Sequence, residues 1–596
     1  MIIALLVAGG ALLVSLLDPM GLETNSERLS DDVAEYVADP LYGGRGRGEA
    51  PRGQGRITVI TLGEETRQLL GKLWKGFPPS YDNEMALLND VAYGSLAPKG
   101  PSAIFMDFTF LSTGRDAGQF EHFRNAIDAL TKASPGDKSG PLGWSNIGAC
   151  ANDEVIKIAC IVAAGGTPVI LGGQRSIPLD PMIDDGLAGL YRVAVISNLL
   201  VGEREYPLLD PPSTMSKPGH EANSPAALLY VADRIQKAIV NCDKAGAKTE
   251  YDRLACSAKN LVHPATAQVV PSQDYSAQTH QASKSIRRAL NGAFAVDWSS
   301  TPPPEVDTLS QELYGRASDC PEPDQKHWVS AWGSAAGRFA ARLSPWRLRL
   351  YGEEEPNGGQ EEARAVCPYA LSLSYGAFAT SGGLKNASRN RLFAEKLVLI
   401  GSASHDSNDW MPSVVHGRLP GVYYHAMALD NLLESEGPHY KIRRINNLTE
   451  PLSRGFTASL IFLLVFIGGW HEIARNDLGV QHIDLPAEDQ DRRRKAIDYL
   501  WLHVKFALAD IVFMFGAAFL AISSHVPINW IAALTVVVGE RILTKVEKVS
   551  DDLHPIVHNW PPIIGWRWLV GRLSLHEEVL LPPKTTRISP SPDRTP

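Results

Sequence analysis

The stretch KLVLIGSASHDSNDWMPSVVHGRLPGVYYHAMALDNLL (Lys396 to Leu433) decides how this chain reads. Leu397 to Ile400 is a short aliphatic run of the kind that buries as a strand. Gly401 turns the chain, a polar loop rich in Asp and His follows, and a helix opens near Gly421.

The same alternation extends upstream. Ile57 to Leu62 (ITVITL) and Ala103 to Phe110 (AIFMDFTF) read as strands, the second interrupted by Asp107. Pro168 to Leu171, Val193 to Ile196 and Phe294 to Trp298 are shorter candidates. Helical spacing marks Tyr81 to Ala92, Phe120 to Leu130, Val155 to Ala164 and Pro225 to Val240. Leu22 to Ala38 is acidic and continues as a helix. Cys242 to Lys284 is polar and weakly patterned, which reads as an insertion with little order of its own. Strand alternating with helix predicts an α/β fold, with a mostly parallel or mixed sheet flanked by helices.

Long apolar runs sit elsewhere. Met1 to Leu17, Phe456 to Trp470, Phe506 to Ile522 and Ile528 to Val538 approach, with their flanks, the roughly 20 residues that a spanning helix needs. The expected fold class therefore adds transmembrane α-helices, one N-terminal and about three C-terminal. Arg475, Arg492 to Arg494, Lys495 and Lys505 fall between the second and third runs, and Arg541, Lys545 and Lys548 follow the fourth. By the positive-inside rule these face the cytoplasm and the large domain lies outside, although Lys441, Arg443, Arg444 and Arg454 pull the other way. The expected organisation is an anchor at 1–17, an extracytoplasmic domain at 18–450, three helices with a basic loop at 451–541 and a cytoplasmic tail at 542–596. The first run lacks a basic flank and an A-x-A site, which favours an uncleaved anchor over a signal peptide.

Composition sets further limits. The chain has 596 residues, too many for one compact domain, and a net charge of -9, which gives no reason to expect nucleic acid. Its mean hydropathy of -0.10 describes mostly water-facing material. All six cysteines (Cys150, Cys160, Cys242, Cys256, Cys320, Cys367) lie in the central part. Two readings stand: disulfides formed outside the cytoplasm, or buried thiols. No CxxC, G-x-G-x-x-G, G-x-S-x-G or H-E-x-x-H motif occurs.

The Lys396 to Leu433 stretch resembles the closing segment of the type-two CHASE domain, a sensory extracellular domain associated with cyclases and histidine kinases. The family's strand ending in Gly corresponds to Val398 to Gly401, its loop Asp to Asp409, its Pro to Pro412, and its helix opening to Pro420 to Ala426. ITVITLGEET resembles the family's first strand, with Gly63, Glu64 and Glu65 in place of an Asp-Glu pair. AIFMDFTF is similar to a strand with Asp107 at the family's Asp position. VGEREYPL is similar to a turn with Gly202, Arg204 and Pro207 in place. The resemblance covers roughly residues 20 to 540. It implies an external sensor whose usual output is a cytoplasmic cyclase or kinase. About sixty residues follow Val538, too few for such a domain, so the expectation is a partner effector in trans.

Four groups of residues carry candidate chemistry. Asp107, at the end of a strand, lies at the carboxyl edge where open α/β folds bind ligands, and with Arg204 and Asp409 it could frame a small polar ligand. His405, Asp406, Asp409, His416 and His425 are weak candidates for a hydrolytic zinc or manganese site, since such a site needs about three imidazole or carboxylate donors. The competing reading is a loop whose Asp and His side chains cap the next helix. Asp510, in the third apolar run, is a candidate for a proton relay or helix pairing. The Arg492 to Lys495 cluster suits anionic lipid. The reading that joins these is a plasma-membrane sensor without catalytic output or cofactor. It would take a small-molecule or envelope signal and pass it to a cytoplasmic effector, with a homodimer as a further expectation. The alternatives are a periplasmic metal-dependent hydrolase and a structural subunit of a membrane complex.

Overall fold

The structure is a computed structural model. It describes residues 36–37, 39–47, 52–70, 80–93, 100–108, 117–131, 154–172, 205–209, 224–247, 253, 256, 283–288, 290, 293–299, 302–303, 305–315, 333–335, 369–380, 386–404, 409–413 and 415–435. All of these belong to one compact unit.

A five-stranded, wholly parallel sheet forms its centre. The strands are β1 (Ile57–Leu62), β2 (Ala103–Asp107), β3 (Val169–Leu171), β6 (Leu371–Ser374) and β7 (Leu397–Ser402), in spatial order β3-β2-β7-β1-β6. Two antiparallel pairs lie apart from it: β4 (Glu205–Pro207) with β5 (Ala293–Ala295), and β8 (Trp410–Ser413) with β9 (Gly417–Pro420). The helices are α1 (Glu64–Leu70), α2 (Tyr81–Tyr93), α3 (Ala117–Thr131), α4 (Glu154–Ala163), α5 (Pro225–Lys244), α6 (Val306–Tyr314), α7 (Tyr375–Thr380), α8 (Asn386–Phe393) and α9 (Gly421–Glu434).

The aliphatic runs form strands because both sheet faces are covered. Side chains alternate across a strand, and the core divides accordingly. Ile57, Val59, Ala103, Phe105, Ile170, Leu397 and Leu399 pack with α4, α5 and α9 on one face. Ile60, Leu62, Ile104, Met106, Val169, Leu171, Val398 and Ile400 pack with α2 and α3 on the other. That is a three-layer α/β/α arrangement, in which strands read as continuous apolar runs. β7 is buried at every position and pairs β1 on one side and β2 on the other.

Local signals set the helix limits. Ser224 caps α5 by accepting from Ala227 N at 3.1 Å, and Pro225 fills its first turn. Gly165, at φ 75°, turns the chain out of α4.

The expectation of membrane-spanning helices is corrected. Among the described residues no helix is long and apolar enough to cross a membrane. The longest, α5, has 20 residues but carries Asp233, Arg234, Lys237, Asp243 and Lys244, and its apolar side packs in the core. Met1 to Leu17, Phe456 to Trp470, Phe506 to Ile522 and Ile528 to Val538 lie outside the described residues, as do Asp510, the Arg492 to Lys495 cluster and the proposed strand at Val193 to Ile196. The fold class established here is α/β with a parallel sheet.

The cysteine question resolves toward disulfides. Cys242 and Cys256 are bonded, Cys160 is also disulfide-bonded, and among the described residues no cysteine is free. Part of the supposedly unordered insertion is thus tied to the end of α5.

Leu399 is fully buried in the central strand. Leu399→Ala is expected to cost about 3 kcal/mol of unfolding free energy, measured by denaturant titration, because the cavity opens between the sheet and the layer of α4, α5 and α9, which cannot collapse inward.

Candidate functional site

The carboxyl ends of β2 and β7 adjoin, with Asp107 in register with Gly401. Beyond β7 the chain makes the β8–β9 hairpin, whose register pairs Trp410 with Pro420. Asp409, just before the hairpin, is therefore returned to Gly421, just after it, and the Gly421 N–H donates to the Asp409 carbonyl at 2.8 Å. The Asp409 carboxylate lies so close over Gly421 that a Cβ there would overlap it. It thus sits at the N-terminus of α9, where the helix dipole favours negative charge. Gly401 is equally confined: a Cβ would meet Val422 Cβ at 2.5 Å. Two glycines let α9 approach the strand ends.

His425, one turn into α9, completes the group. Its ring stands edge-on to Phe105 at 5.4 Å, and its Nε2 lies 3.6 Å from Asp107 Oδ2. Its Nδ1 is 2.7 Å from the hydroxyl of Tyr206, a fully buried residue on β4. That phenol oxygen accepts from Ala226 N at 3.3 Å. With Ala226 N–H already donating to the oxygen, we assign the phenol O–H as the donor to Nδ1, which leaves the imidazole N–H on Nε2, facing Asp107.

Charge at the site follows from burial. Loss of solvent pushes His425 down to about 3, so the ring is neutral and its approach to Asp107 is not an ion pair. Burial, and then the neighbouring Asp409, raise Asp107 well above the usual carboxylate range. Burial raises Asp409 to about 6, opposed by its backbone bond with Gly421. Asp107 Oδ2 has no hydrogen-bond partner although it is shielded from water. An orphaned buried oxygen of this kind costs about 1–3 kcal/mol.

The other sequence candidates fare differently. Arg204 and His405, with Asp406, lie outside the described residues. His416 turns to a separate partner, its Nε2 2.9 Å from the Ser299 carbonyl, with Trp298 edge-on at 6.2 Å. His425 belongs to a helix and not to the polar loop. Among the described residues no three His, Cys, Asp or Glu side chains are grouped to hold a metal ion. Sequence reading missed Tyr206: it lies within the quoted VGEREYPL turn, but nothing local announces a partner 219 residues away.

The folded-state pKa of Asp409 lies above its unfolded value, so the folded state holds the extra proton. Stability is then greatest below the unfolded value near 4 and declines as pH rises through about 6. Denaturant midpoints between pH 4 and 8 are expected to show this decline, and Asp409→Asn is expected to reduce it, leaving the part that belongs to buried Asp107. No protein-family model, curated protein or solved structure matches this chain significantly.

Proposed function

We propose that this chain is an extracytoplasmic sensor of the type-two CHASE kind, binding a small polar ligand at the carboxyl edge of its parallel sheet and relaying occupancy to a partner protein. The observation that carries the reading is the unpartnered Asp107 Oδ2, held beside Asp409 and the His425–Tyr206 pair. A ligand with hydrogen-bond donors would relieve that oxygen. Carboxyl ends of parallel strands are where open α/β sheets take their ligands.

Two further observations support it. Asp107, Gly401, Asp409 and Gly421, quoted for the resemblance from stretches far apart in sequence, meet in this one place. Disulfide-bonded cysteines suit an oxidising compartment. The hydrolase reading draws less support, because His416 and His425 are committed to different partners.

The test is a thermal-shift screen of the full chain against small amines, polyols and amino acids, repeated with Asp107→Asn. At a concentration of about 100 times Kd a true ligand stabilises by about 2.7 kcal/mol. A shift of several degrees is expected with one class, and its loss in Asp107→Asn. No shift with any class, or one that Asp107→Asn leaves intact, would remove the reading.

A further inference from the structure

Given the site reading above, we propose that α9 ties the charge at the Asp107–Asp409 site to its grip on Tyr42, Arg52 and Gly53, which precede β1. α9 has 14 residues, about 21 Å at 1.5 Å per residue, and is buried from Gly421 to Leu433. A helix held so completely moves as a body.

Its first turn belongs to the site. Gly421 lies under the Asp409 carboxylate, Val422 against Gly401, and His425 beside Asp107. Its last turns hold the segment before β1. Tyr42 donates its hydroxyl to Asp430 Oδ2 at 2.5 Å and accepts from Asn431 Nδ2 at 2.8 Å. Glu434 Oε2 accepts from the backbone N–H of Arg52 at 2.7 Å and of Gly53 at 3.2 Å. Asn431 also exchanges bonds with Asp297, its Oδ1 accepting from the backbone N–H at 2.8 Å and its Nδ2 donating to the carbonyl at 3.0 Å. These short bonds fail if the helix slides by about an ångström, since hydrogen bonds weaken steeply outside their geometry.

The groups facing the Asp107–Asp409 pair are His425 from α9, neutral through burial, and Tyr206 from β4, which meets the pair through His425. At the far end Tyr42 faces Asp430, Tyr369 and Glu434. When both carboxyls ionise, their repulsion acts between the sheet, which carries Asp107, and α9, on which Asp409 rests. With no space at Gly421 to absorb the change, the displacement passes along the helix to the grip on Tyr42, Arg52 and Gly53. The value near 6 for Asp409 places the first ionisation near pH 6, and Asp107, held higher by burial and by the Asp409 charge, ionises above it.

The probe is the proton itself. Amide hydrogen exchange of the full chain is followed by mass spectrometry at pH 5 and pH 8, each corrected for intrinsic rate. Protection of the peptide spanning residues 39–56 is expected to fall about tenfold more than that of the peptide spanning residues 154–171. Asp409→Asn is expected to keep residues 39–56 protected at both pH values, and Asp107→Asn serves if that variant does not fold. Tyr42→Phe is expected to lose the protection at both. Equal changes in both peptides, or a wild-type response that survives neutralisation of the pair, would overturn the coupling. A ligand shift that depends on Asp107 together with flat exchange at residues 39–56 would sink the coupling while leaving the binding reading intact.

Discussion

The placement of one strand, Leu397–Ser402, holds the molecule together. β1 and β2 do not touch; each bonds to β7 along its length, in register from Ile57 with Leu397 and from Ala103 with Leu397. β7 alternates its side chains into both helical layers, with Leu397 and Leu399 to one and Val398 and Ile400 to the other. Both hydrophobic cores therefore close on the same six residues. The candidate site is a by-product of that closure, because the chain leaving β7 has to turn at the sheet's carboxyl edge, beside Asp107.

Electrostatics at that edge run against stability. Two carboxyls share a poorly solvated corner, and the imidazole between α9 and β4 is neutral, so it supplies no compensating charge. Elsewhere the same fold treats a buried carboxylate differently. Asp233 on α5 is fully buried, yet it pairs with Arg56 at 2.5 Å and Lys237 at 2.8 Å. A buried charge that is paired is ordinary structural chemistry. A buried carboxyl left without a cation and pushed toward its neutral form, at the position where ligands of such sheets bind, fits the pattern of perturbed groups at functional sites.

Much of the sheet could be read from residues. ITVITL, AIFMD and LVLI are strands because an apolar β-branched run has few other stable fates, and α2 to α5 were legible from periodicity. What escaped has physical causes. LSLS at Leu371–Ser374 is half polar and short, and it forms β6 only because β1 offers it an edge. WMPS and GRLP look like loop; their hairpin is specified by pairing with each other. At the site, Asp107, Asp409 and His425 could be named, but their assembly depends on the β8–β9 register and on two glycines that admit α9. Tyr206 and Tyr42 carried no signal, since each is defined by a partner more than two hundred residues away. The apolar runs, read as spans on hydropathy alone, fall outside the described residues and contribute nothing to the fold described.

The late position of β7 also constrains how the chain comes to be made. Ile57 and Leu397 are neighbours in the sheet but about 340 residues apart in the chain. At the roughly 5–20 residues per second of synthesis, the ITVITL segment waits tens of seconds for its partner. During that interval an adhesive, β-branched edge has no companion strand, which is the situation in which nascent chains recruit chaperones or aggregate. Keeping the early strands from premature pairing until β6 and β7 arrive, beyond residue 370, is thus a demand of its topology.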